Sequence, residues 1–432
     1  MRVKIIYTFI TLGILAIVIV IEGCSSNSKS SVSKPTPPTN LTAIAGNMQV
    51  TLTWSASVGA IDYIVIFGPG SPSTSIQTYE QATYGTSYTA SGLENSSAYC
   101  FSVTAWNHAG KSAPSNQVCA TPYGINTYSG FNSPMGIAID AKGNVWVANY
   151  NGNTVSELIY SSGFTSLNSY TVGNGPENIA IDASGNISVT NHGDNTVTEL
   201  NLSGGHIGTY NVGIGPAGIA IDAAGNVWVA TDGNNVVNAG KSVTELSPTG
   251  TTITTPSVGT HPRGIAIDST GDIWVTNYND DTVTELNLVG TTVGTYAVGH
   301  FPLGIAIDSA SDVWVTNNGS NTVTELSPTG TTITTATVAP APIGIAIDKA
   351  GNVWVAGTDI TELSPTGATL ETFTVGLAPF GIAIDSAGDI WVTNIGDSTV
   401  TEIVGITAGP QFFPCSYFTD NSCPQFQGGG GF

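Results

Sequence analysis

From residue 123 to 405 the apolar positions form one phrase, written seven times. It runs P-x-G-I-A-I-D, then G-N-V-W-V, then T-V-T-E-L, then a Thr-rich stretch such as "TTITTATV". Each part is a short, nearly continuous apolar run bounded by turn residues. Runs of that kind, rather than strict alternation, suit strands buried on both faces. The Asp of the phrase recurs at Asp140, Asp182, Asp222, Asp268, Asp308, Asp348 and Asp385, at spacings of 42, 40, 46, 40, 40 and 37 residues. A period near 40 with four short strands per period predicts a β-propeller. Seven copies of strands one to three are present, with six fourth strands between them. "YGINTYSG", residues 123–130, precedes the first copy and reads as the missing fourth strand. The pattern predicts seven blades over 123–405, closed by strand exchange so that no edge stays open.

Residues 39–122 follow a different rhythm. "QVTLTW" places Val50, Leu52 and Trp54 on one face; "YIVIF" spans 63–67; "AYCFSVTAW" places Tyr99, Phe101 and Val103 on one face. Alternation with intervening turns predicts a β-sandwich, so the whole chain is all-β. A hairpin centred between Ala109 and Gly110 would set Cys100 opposite Cys119. Their out-of-phase position relative to Tyr99 and Phe101 puts a disulfide on the outer face. His108 falls in the turn and reads as a solvated loop histidine.

The first residues change the compartment. Arg2 and Lys4 precede an apolar stretch from Ile5 to Ile21, the layout of a secretion signal and short for a membrane span. Ile21-Glu22-Gly23-Cys24 resembles the bacterial lipobox, with Glu22 departing from the small or apolar residue usual there. The resemblance implies removal of 1–23, lipidation of Cys24 and anchoring by several acyl chains on the extracytoplasmic side of the cell envelope. Residue Ser25 is compatible with an outer-membrane or cell-surface destination. Residues 24–38 are a Ser/Pro-rich spacer. The four other cysteines allow two local disulfides, Cys100–Cys119 and Cys415–Cys423, the latter in a separate tail, 406–432.

Two family resemblances follow from these residues. The Pro-rich entry, Trp54 in the second strand, Leu93 six before Tyr99, and "VTAWNHAGKSAPSNQVCATP" resemble a fibronectin type III domain, in which Tyr99 would be the corner tyrosine. The Gly-x-Ala-x-Asp and Gly-Asn-x-Trp-Val phrases resemble NHL-repeat and streptogramin-lyase-like propellers. Those lyases use a histidine with metal-binding glutamates at the propeller mouth. Their W-F-T-E phrase is V-W-V-T-N or V-W-V-A-N here, so the glutamates are unmatched and the activity does not carry over.

Charge narrows the partners. With 30 acidic and 9 basic residues the net charge is −21, which disfavours a phosphate-backbone partner, so no nucleic acid is expected. Alternating strand directions put the turn between strands two and three, and the link into the next strand one, on one face, here called the top. His192, His261, His300 and Arg263, the only arginine besides Arg2, fall there. Arg263 reads either as an anion or carboxylate clamp or as a local ion pair with a top-face Asp. His261 and His300 are the acid–base candidates. Asn149, Tyr150, Asn277, Tyr278, Asn317 and Asn394 join them as ligand-binding candidates. Asp194, Asp232, Asp280, Asp359 and Asp397 are the metal candidates, with calcium or magnesium as the ion. The repeated Asp of G-I-A-I-D reads as a turn framework, with calcium as the alternative. The Glu of T-E-L, at Glu157, Glu199, Glu245, Glu285, Glu325, Glu362 and Glu402, reads as solvated or cross-strand paired. The leading function is a monomeric, non-enzymatic envelope lipoprotein that binds a protein, glycan or small ligand at the top face. The alternative is a metal-dependent lyase or hydrolase of the streptogramin-lyase type.

Overall fold

The computed structural model describes residues 33–69, 79–95, 97–233 and 241–405, together with two N-terminal strands, Val3–Tyr7 and Ile17–Ile21, which pair antiparallel. Cys24 and the tail with Cys415 and Cys423 lie outside the described residues.

Each copy of the repeated phrase forms one four-stranded antiparallel sheet, and there are seven. In the first blade the strands are Pro134–Ile139, Val145–Asn149, Thr154–Leu158 and Leu167–Thr171, from axis to rim. In the seventh the outermost strand comes from the other end of the ring: Gly124–Tyr128 pairs with Thr399–Val404, placing Ile125 opposite Ile403. Closure by strand exchange is therefore the observed topology.

The core lies between blades. Trp146, Trp228, Trp274, Trp314, Trp354 and Trp391, each on a second strand, are buried completely or nearly so. Blade two places Ser188 at that position. The repeated Asp holds the turn beneath each Trp. In blade one, Asp140 Oδ1 accepts the backbone N–H of Lys142 at 2.8 Å and of Asn144 at 3.0 Å, while the indole N–H of Trp146 donates to Oδ2 at 3.1 Å. Such a carboxylate satisfies turn donors that burial would otherwise leave unpaired. That is the framework arrangement.

Six of the seven T-E-L glutamates are not solvated, and Glu199 is half-buried. Glu157, Glu245, Glu285, Glu325, Glu362 and Glu402 are buried. Tyrosine hydroxyls on the fourth strands donate to four of the seven: Tyr170 to Glu157, Tyr210 to Glu199, Tyr296 to Glu285 and Tyr128 to Glu402. Cross-strand pairing is thus observed at those four positions.

The N-terminal sandwich packs Thr39–Gly46, Gln49–Ser55 and Ser87–Ser91 against a second sheet built around Asp62–Pro69 and Tyr99–Asn107. Val50, Leu52, Trp54, Val65, Phe101 and Val103 fill its core. The Tyr99 hydroxyl accepts the backbone N–H of Glu94, closing the corner. Cys100 sits opposite Cys119 and is bonded to it, with the exposed Cys119 on the outer face. The hairpin turn differs from the expected one. Asn107 pairs with Gly110, so the turn is His108-Ala109, and the register slips between Thr104 and Trp106 before the cysteines meet. His108 is exposed.

Candidate functional site at the mouth of the axial channel

The link entering each innermost strand has a fixed backbone form. The residue before its proline takes a left-handed conformation in all seven blades: Ser133, Gly175, Gly215, His261, Phe301, Ala341 and Ala378, with φ between 52° and 64°. In six blades its carbonyl accepts the N–H of the residue just after the second strand, as from Tyr150 to Ser133, His192 to Gly175, Asp232 to Gly215 and Tyr278 to His261. The two top loops of a blade are thereby tied together, and the residue after the proline is held at the axis. Close packing follows: a Cβ at Gly264 would collide with the carbonyl of Leu303 in the next blade.

The residues after the seven prolines are Met135, Glu177, Ala217, Arg263, Leu303, Ile343 and Phe380. All but Ala217 line a cavity of about 730 Å³ at the mouth. Its wall has two sectors. Leu303, Ile343, Phe380, Met135 and Ile395 make an apolar arc. Glu177, Asn178, His192, Arg263, Tyr150 and Tyr278 make the polar one.

Arg263 organises the polar sector. Its Nη2 lies 2.8 Å from Asp232 Oδ2 and its Nη1 3.4 Å from Glu177 Oε1. The guanidinium of blade four thus spans blade three, whose equivalent residue is the small, buried Ala217, to reach blade two. Both carboxylates are buried, at 2% and 7% side-chain exposure, whereas Arg263 is 32% exposed. Its Nε is buried without a partner. His192 Nε2 stands 3.6 Å from the same Asp232 oxygen. Burial pushes the Glu177 carboxyl above its usual range, against the pull of Arg263 and His192. Hydrogen bonding to Asp232 raises the His192 pKa, against the opposing effect of burial. The result is a hydrogen-bond-donating corner, held from beneath by buried carboxylates, that faces an apolar wall.

Of the residues singled out by sequence, Arg263, His192, Asp232, Tyr150 and Tyr278 come together here. The two histidines favoured for acid–base work do not. His261 occupies the left-handed turn and is not part of the cavity wall. His300 is 72% exposed on the rim, with Nδ1 2.7 Å from Asp281 Oδ2. Asn149, Asn277, Asn317 and Asn394 are buried within their blades. The Asn277 amide donates to Thr282 and Thr284 and its carbonyl accepts the Gly259 N–H; the other three repeat the donation to strand three. These amides hold loops rather than face a ligand. Asp194, Asp280 and Asp397 accept backbone N–H groups from Asn174, Thr260 and Leu377, and Asp359 accepts the Thr374 hydroxyl. Each caps its own blade's loops, and no three of the proposed metal carboxylates form a cluster among the described residues.

Glu177, Asn178 and the apolar arc were missed. For Glu177 and most of the arc the signal was present in the x of P-x-G, and Asn178 replaces the glycine of that phrase in blade two.

Residues 36–121 match the fibronectin type III domain family. No curated protein matches the chain. Among solved structures, a streptogramin B lyase superposes with a TM-score of 0.59 at 18% identity, covering 65% of this chain and 97% of that one. Virginiamycin B lyase from Staphylococcus aureus, in a catalytically inactive form with quinupristin, gives 0.58 at 18%, covering 65% and 99%. The WD40 β-propeller domain of Doa1 gives 0.54 at 13%, covering 66% and 97%. These likenesses establish the propeller fold; at such identities they carry no activity.

Proposed function

We propose that this chain is a lipid-anchored, extracytoplasmic binding protein that takes a small ligand into the mouth of its propeller, with the fibronectin type III domain as spacer. The observation that carries the reading is the two-sector cavity. The seven repeats differ at the residue after the proline, where they meet the axis, and those differences sort into one polar and one apolar wall. Concave sites with an apolar body and a few convergent polar groups are the usual form of small-molecule pockets. The buried Glu177 and Asp232 fix the Arg263 fork, which reduces the ordering cost of presenting its remaining donors.

The test is a thermal-shift screen of the full chain with small organic ligands, repeated on Phe380→Ala. This variant removes part of the apolar wall and leaves the ion pairs in place. A ligand that raises the wild-type midpoint and fails to raise that of the variant supports the mouth as the site, because binding the native state stabilises it by mass action. If every hit stabilises both proteins equally, the mouth is not where they bind.

A second reading, an enzyme of the lyase class, rests on one observation: His192 sits beside Asp232 at the cavity wall, an orientation suited to general acid–base work. Turnover of a bound ligand that His192→Gln abolishes, with binding retained, would select it.

A further inference from the structure

The Asp that ends each innermost strand and the Glu of T-E-L meet at the far end of the blade from the mouth, together with the residue just before each second strand. That third residue is Asn144, Asn186, Asn226 and Asn352 in blades one, two, three and six, and Asp272, Asp312 and Asp389 in blades four, five and seven. Three carboxylates therefore share this end of the latter blades, and in blades five and seven their ligand oxygens come within 4.8 Å of one another. Two of the three find donors for the added charge. In blade four Tyr296 donates to Glu285 at 2.6 Å, and the Thr270 hydroxyl, 2.7 Å from Asp268 Oδ1 and 3.3 Å from Asp272 Oδ2, stands between the two aspartates. In blade seven Asn126 and Tyr128 donate to Glu402 and the Gly405 N–H to Asp389.

Blade five has neither. Its fourth strand carries Ala336 where Tyr296 stands in blade four, in each case opposite the valine two residues before the glutamate. Among the described residues neither Glu325 nor the Asp312 carboxylate has a hydrogen-bond donor, although Glu325 is 4% exposed. Ligand oxygens of Asp308, Asp312 and Glu325 lie within 4.8 Å of one another. A buried, unpaired acid costs free energy that five of the six sister blades avoid with an amide or a phenol; in blade three Glu245 also has no hydrogen-bond donor among the described residues, but its neighbour there is Asn226 rather than a second aspartate.

We infer that Asp308, Asp312 and Glu325 form a binding site for a hard divalent cation, calcium in the first instance, which supplies the positive partner that blade five otherwise lacks. Three carboxylates offer up to six oxygens, the donor type that calcium takes. Asp308 is already oriented: Oδ1 accepts the N–H groups of Ala310 and Asp312, and Oδ2 accepts the indole N–H of Trp314 at 3.3 Å. The ion joins the inner, second and third strands of the blade, so its role is to lock the sheet. Extracellular modules bind calcium at about 10⁻⁴–10⁻³ M, a range that suits the proposed compartment. The inference does not depend on the ligand at the mouth.

The experiment is thermal unfolding of the full chain at pH 7.5 after EDTA treatment, with calcium alone and magnesium alone titrated back. Terbium luminescence sensitised through Trp314 reports occupancy directly. Asp312→Asn installs the residue that four sister blades carry and so keeps the turn; Asp272→Asn is the control in a blade whose Glu has its tyrosine. The expected result is a calcium-dependent rise in midpoint for wild type and Asp272→Asn, with at least a tenfold loss of calcium affinity and a drop in terbium emission for Asp312→Asn. The inference is overturned if wild type and Asp312→Asn respond alike. It is equally overturned if calcium does nothing while lowering the pH to 5.5 stabilises wild type, which would make the cluster a proton site.

Discussion

Arg263 and Asp232 are contributed by adjacent blades, and their 2.8 Å contact makes the polar corner of the mouth a joint between sheets. Glu177 extends the joint to a third blade. Removing the guanidinium takes a cationic partner from each of two buried carboxylates. Loss of one partner of a buried pair costs about 3–5 kcal/mol, and the partial exposure of Arg263 lowers that to roughly 2–3 kcal/mol. Arg263→Ala should therefore melt lower, and Arg263→Met combined with Asp232→Asn and Glu177→Gln should recover most of the loss. A triple variant no more stable than Arg263→Ala would show that packing, not charge, holds the joint.

Blade six stores a pH dependence. Glu362 and Glu371 are cross-strand partners, and burial pushes each up to about 7. Asp348 and the Glu371 charge add to the rise at Glu362, the Asn352 amide opposes it, and Tyr123 is raised by its burial and then by the Glu371 charge. Below the ordinary carboxylate range, folded and unfolded chains are both protonated and nothing changes. Between that range and about 7 the folded state keeps protons that the unfolded state has released, so stability falls as pH rises. Glu371→Gln should raise the melting midpoint by a few degrees at pH 8, with the gain vanishing near pH 4.5. An equal gain at both pH values would sink this account.

His261 sits at φ 53°, in a place where two sister blades use Gly175 and Gly215. A left-handed conformation costs a non-glycine residue about 1–2 kcal/mol, against about 0.5–1 kcal/mol of extra chain entropy lost by glycine. His261→Gly should leave the fold intact and raise stability by up to about 1 kcal/mol in denaturant titrations. A marked loss would mean that the imidazole makes a contact important to the native state.

The proposed anchor predicts a simple chemical outcome. Intact-mass analysis of the membrane-extracted protein should show a chain that begins at Cys24 and carries acyl groups. Cys24→Ser should abolish that modification. A mature chain beginning elsewhere, or a wild-type protein that partitions into the aqueous phase of a detergent extraction, would remove the lipid from the picture.

The blades and their closure were legible because the repeat is local: each strand's burial is written in its own five or six residues, and the odd strand out could be counted. The mouth was only partly legible. Arg263 stood out by rarity, but Glu177 looked like one more acid, and its meaning depends on Ala217 lying between them in the ring. His261 and His300 were drawn to the site by residue type. Their side chains were then placed by a backbone turn that sequence spacing alone does not orient. The T-E-L glutamates were misjudged as candidates for solvation because a third strand reads as peripheral, whereas here a fourth strand and its tyrosine cover it.

The seventh blade joins Asn126 to Glu402 across 276 residues of chain. A ribosome makes the outer strand of that blade first and the strand it needs last. Six blades can assemble in order as they emerge, but the ring has no finished edge until the final repeat arrives. A product cut short anywhere in the last repeat leaves Gly124–Tyr128 without its partner strand and the first blade without its neighbour. The fold thus inspects its own length: only a chain translated through residue 404 can become a closed ring, and shorter ones present open sheet edges.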